Sequence, residues 1–67
     1  LDEFEPIKAR SGLFALITAG LEDAHELAVQ GQRTKVDRSE VLKILERIVD
    51  QTNQIEILLM AIGALEE

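Results

Sequence analysis

Apolar residues recur at alternating spacings of three and four over most of the chain. In the C-terminal half they fall at Val41, Leu45, Ile48, Ile55, Leu59 and Ile62, with Thr52 as the one polar member of the series. This is a seven-residue repeat, which on an α-helix holds one stripe of side chains toward a neighbour. In the N-terminal half the same rhythm runs through Phe14, Ile17, Leu21, Ala24 and Ala28. Alternation with a period of two never extends beyond a few residues, and hairpin dipeptides such as Asn-Gly are absent. Strands are therefore not expected.

Start and stop signals divide the pattern into two helices. Asp37 is followed three residues later by Glu40. In that capping box the Asp37 carboxylate accepts from the Glu40 amide, and the Glu40 side chain reaches back to the Asp37 amide. Val36 and Val41 flank this cap at the spacing of a hydrophobic staple. Pro6 suits a first helical position, where its missing N–H has no partner to lose. Asp2, Glu3 and Glu5 place negative charge near that end. Gly31 is the natural stop of the first helix. Gly12 and Gly20 each cost about 1 kcal/mol against Ala in a helix interior, and Ser11 could cap a shorter helix. One helix over residues 6–30 is expected, with the glycines admitting a close neighbour. A loop over 31–36 and a second helix over 37–66 complete a single domain. The lengths correspond to rods of roughly 38 and 43 Å at the α-helical rise.

An all-α, antiparallel two-helix hairpin is the fold so predicted. Phe14, Ile17, Leu21, Leu45, Ile48, Ile55, Leu59 and Ile62 are its expected core. The apolar stripe is wider than one seam, however. Leu13, Leu16, Ile57, Leu58, Met60 and Leu65 add further apolar positions around both helices near the chain ends. A helix that is apolar on several sides must be buried on several sides. These six are the expected contact surface for another chain. So small a core supplies only ~3–5 kcal/mol on its own. The simplest remedy is two hairpins forming a four-helix bundle.

Composition narrows the choice of partner. The chain has 67 residues, no Cys, and thirteen acidic against seven basic residues, for a formal charge of -6. Disulfides, thiolate metal sites and thiol nucleophiles are thereby excluded. Phe4 and Phe14 are the only aromatic residues, which leaves no platform for stacking bases. The loop region carries Arg33, Lys35, Arg38 and Lys43 against Asp37 and Glu40, whereas the ends carry Asp2, Glu3, Glu5, Glu66 and Glu67. Opposite charge favours a head-to-tail pair of hairpins, while the apolar ends favour the same direction; head to tail is preferred. Nucleic-acid binding through the basic loop is the weakest alternative, because the bases are mixed with acids on an acidic chain. No apolar run reaches the length of a membrane span, so no membrane partner is expected and a cytoplasmic location is.

Candidate chemistry is sparse. Glu22-x-x-His25 has the spacing that ferritin-like bundles use for metal. The seam puts His25 outside the core, and further inward carboxylates are missing, so no metal or other cofactor is expected. His25-Glu26-Leu27 resembles the start of the phosphoacceptor box in histidine-kinase dimerisation hairpins. Ala28-Val29-Gln30 follows where that family has a basic residue and then a Pro, and His25 lies about six residues before the loop. The resemblance covers three residues, and an exposed structural His is the expectation. No Ser or Thr has a base at a useful spacing, so no enzyme is expected. The function expected is a homo-oligomeric interaction or assembly module, a dimer favoured, acting through apolar helix faces. The alternative is a small adaptor or co-chaperone for a helical partner protein, which shares only its outline with the small helical co-chaperones of bacterial secretion systems.

Overall fold

Two α-helices pack side by side, α1 (Pro6–Gly31) and α2 (Arg38–Leu65). They are the only regular elements among the described residues of this computed structural model, which are 5–66. Asp2, Glu3 and Glu67, whose charges enter the expected end-to-end attraction, lie outside that range. The helices run antiparallel. Gly31 lies beside Ile44 near the loop, and Arg10 reaches Glu66 at the opposite end, Nη1 to Oε2, 3.3 Å.

The helix ends are set by local chemistry. At α2 the Asp37 Oδ1 accepts from the Glu40 amide at 2.9 Å, with Asp37 held in extended backbone. The reciprocal bond from the Asp37 amide to the Glu40 carboxylate is absent among the described residues, so half of the expected box forms. At α1 the Glu5 side chain makes no capping bond, and Pro6 takes the first turn. Glu5 instead pairs with Lys8 at 3.6 Å, in water. Gly31 does not act as a left-handed stop. No glycine has positive φ, Gly31 belongs to the helix, and the cap is Gln32 in right-handed helical geometry. The last turn closes by tightening: the Gln32 amide donates to the Val29 carbonyl at 3.0 Å, and the Arg33 amide to that of Gln30 at 3.3 Å. Such i to i−3 bonds satisfy the terminal carbonyls without needing the left-handed region.

The seam between the helices is rotated from the one expected. On α1 the covered side chains follow Leu13, Ile17, Gly20, Ala24 and Leu27; on α2 they follow Ile44, Ile48, Gln51, Ile55, Leu58, Ile62 and Leu65. Ile17 and Ile62, 7% and 9% exposed, are the most covered of them. Ile48 and Ile55 are half-buried beside them. Phe14, Leu21, Leu45 and Leu59, expected in the core, are 50–55% exposed and flank the seam on one side. Leu13, Leu58 and Leu65, expected to meet another chain, lie in the intrachain seam instead. The cause is geometrical. A stripe three positions wide contains two overlapping 3–4 series, and a single neighbour covers only one of them.

Gly20 marks the closest approach. A Cβ there would lie 3.2 Å from Ile55 Cγ1 and 3.4 Å from the Gln51 Oε1. At this level a side chain on α1 would displace the facing residues of α2, so glycine sets the spacing. Gly12 has open space around it. The pair of helices is 55 × 18 × 15 Å, with a radius of gyration of 15.9 Å. A compact chain of this length would have about 11 Å. The molecule is a rod two helices wide, and it has no interior beyond the seam.

Candidate interaction surface

Heptad positions locate every exposed side chain on this rod. With the seam residues assigned to positions a and d, the columns at e and g border the seam on its two sides. The two helices bring their g columns together on one side. There Asp23, Gln30 and Arg47 border a groove with Glu26 and Asp50. A continuation toward the chain ends is bordered by Leu16, Asp23, Gln54 and Leu58. Toward the loop, Gln30, Glu40, Lys43 and Arg47 border the same side. This flank is mostly polar. It holds no ion pair, since Lys8–Glu5 and Arg10–Glu66 are the two found among the described residues.

The e columns therefore lie together on the opposite side, and their character is different. On α1 the column is Ile7, Phe14, Leu21 and Ala28; on α2 it is Arg38, Leu45, Thr52 and Leu59, continued by the C-cap Glu66. Leu42 and Val49 lie next to the α2 column and are also about half exposed. The result is a largely apolar face running the length of the rod, with Arg38 and Glu66 at its two ends and Glu22 and Glu56 along its margins. The polar member, Thr52, donates its hydroxyl to the Val49 carbonyl at 2.9 Å. Thr18, at the margin, does the same to the Phe14 carbonyl at 3.1 Å. Both hydroxyl protons are thus already bonded within their own helix, and covering the face leaves no donor stranded.

The other residues expected at an interface are scattered. Leu16 lies on the polar flank, and Ile57 and Met60 project from the outer side of α2, all well exposed. One lone residue and one i, i+3 pair of this kind are ordinary on protein surfaces. The contiguous face, by contrast, is a feature that needs an account. Phe14, Leu21, Leu45 and Leu59 belong to the core series expected from the sequence, whereas Ile7, Leu42 and Val49 do not.

The remaining candidates do not converge. Glu22 and His25 border a shallow depression with Thr18 and Leu21. Among the described residues no cluster of three or more His, Asp or Glu could hold a metal ion. The four bases around the loop diverge: Arg38 heads the apolar face, whereas Lys43 borders the polar groove on the other side. Phosphates bound along one track would meet only part of that set. No helix among the described residues is long and apolar enough to cross a membrane. Compared with known proteins, the chain matches no family model, no curated sequence and no solved structure.

Proposed function

We propose that this protein is an interaction and assembly module whose activity is binding through the apolar face formed by the e columns of its two helices. One observation carries the proposal. Phe14, Leu21, Leu45 and Leu59 are half exposed on a single side of a rod that otherwise buries almost nothing. Burial of apolar surface contributes about 25 cal/mol per Å². A continuous face of large side chains is thus the strongest source of stabilisation the isolated hairpin leaves unused. A second copy is the partner favoured, giving a four-helix bundle of about the width for which the a, d and e pattern is suited. The molecule works by shape and apolar contact, without catalytic machinery and without a cofactor.

Mass in solution tests this directly. Sedimentation equilibrium over a concentration series is expected to give twice the chain mass at micromolar concentration. A stable monomer there overturns self-assembly. A chain that is monomeric but acquires a defined mass with a co-purified helical protein would favour the adaptor alternative.

A further inference from the structure

The face also specifies how a second copy sits on it, and here the geometry points to a head-to-tail pair with its two-fold axis at the level of Leu21 and Thr52. This rests on the assembly reading above and adds the orientation and the register.

The sequence of the α2 column is complementary to itself when reversed. From the loop outward it reads Arg38, Leu45, Thr52, Leu59, Glu66, at constant seven-residue spacing. Laid antiparallel on a second copy about Thr52, the column sets Arg38 against the other chain's Glu66. It sets Leu45 against Leu59, and Thr52 against Thr52. Each charged end meets its opposite, each leucine meets a leucine, and the polar member meets itself. Isologous contacts demand this kind of self-complementarity. The α1 column obeys the same axis. Reversed about Leu21, it places Phe14 against Ala28, so the largest side chain of the column faces the smallest.

Leu21 and Thr52 lie at the middle of the rod, because the Gly20 contact with Gln51 and Ile55 fixes the relative height of the two helices. A pair centred there overlaps along its whole length. A pair running in the same direction fares worse. Each α1 would then face the other chain's α2, which pairs Phe14 with Leu59 but puts the Glu66 carboxylate beside Ile7. It would also bring the two basic loops together. Charge opposes that arrangement, although salt within a Debye length of about 8 Å weakens the opposition.

The chain has no native Cys, so position-specific crosslinking reads the orientation. The test uses full-length Thr52→Cys and the double variant Leu21→Cys/Thr52→Cys, with a short bismaleimide reagent, beside a mass measurement on each. In the head-to-tail pair Thr52→Cys is expected to give a covalent dimer in high yield. Adding Arg38→Glu should weaken the dimer at low salt, and high salt should erase the difference. A protein that is dimeric by mass but crosslinks between chains only in the Leu21→Cys/Thr52→Cys variant runs in the same direction; that overturns the orientation and leaves the assembly reading standing. A protein that is monomeric by mass loses both.

Discussion

Ile17 and Ile62 carry the contact between the two helices more than any other side chains, being the two that water hardly reaches. Replacing either with Ala removes buried methyl and methylene groups and leaves a gap that rigid helices close poorly. A loss of about 2–3 kcal/mol is expected for each. Urea unfolding at fixed chain concentration measures it. Met60→Ala, on the outer surface of α2, is expected to change stability by no more than about 0.5 kcal/mol. Gly20 offers a sharper residue-level test, because two effects of one substitution oppose each other there. Ala in a helix interior is favoured over Gly by about 0.5–1 kcal/mol. At Gly12, where a Cβ meets nothing within 4 Å, Gly12→Ala should deliver that gain in full. At Gly20 the new Cβ would lie 3.2 Å from Ile55 Cγ1, so Gly20→Ala should gain little and Gly20→Leu should cost about 1–3 kcal/mol. Equal stabilisation by Ala at both positions would show that the helices do not approach as closely as the contact to Ile55 requires.

At the scale of the element, α2 depends on its first turn. The Asp37 carboxylate satisfies one of the free amides there at 2.9 Å, and no second side-chain bond duplicates it. Asp37→Ala should therefore cost about 1 kcal/mol, with Asp37→Asn or Asp37→Ser recovering most of it. Helical circular dichroism with thermal melts reads both changes. This cap, the all-helical character and the two rods were legible in the sequence because each is written in local chemistry: a carboxylate three residues before a glutamate, a proline at a first turn, spacings of three and four. The seam was legible only up to a rotation. Ile17, Ile48, Ile55 and Ile62 belong to both 3–4 series, one continuing through Leu13, Gly20, Leu58 and Leu65, the other through Phe14, Leu21, Leu45 and Leu59. Side-chain size pointed to the second series, since Gly20 and Gln51 are weak core residues by composition. What decides the matter is distance of approach. Gly20 lets α2 come near enough for Ile55 to fill its space, a property of two helices together that neither pattern states alone. The Gly31 stop was misjudged for a related reason, since a tightened last turn satisfies the carbonyls equally well and leaves no compositional mark.

The whole molecule is a thin rod, and its stability belongs to the assembly more than to the chain. The Arg10–Glu66 bridge ties the two helices together at the end away from the loop, but both side chains are about half exposed to water. Such a pair contributes no more than about 1 kcal/mol and fades with salt. The seam has one layer of side chains, whereas the e columns hold a second layer that the chain leaves half uncovered. If a second copy covers that layer, folding and association are one equilibrium, and the melting temperature must rise with chain concentration. Leu59→Glu and Phe14→Glu place a charge within the covered face. Each should abolish that concentration dependence and lower the melting temperature. Ile57→Glu lies on the outer surface of the same helix, at an equally exposed residue, and should leave both properties unchanged. The comparison separates a face from mere greasiness: three substitutions of the same kind differ only in which side of the rod they occupy. If Ile57→Glu were as disruptive as Leu59→Glu, association would follow total apolar exposure, and the one-sided surface would lose its role.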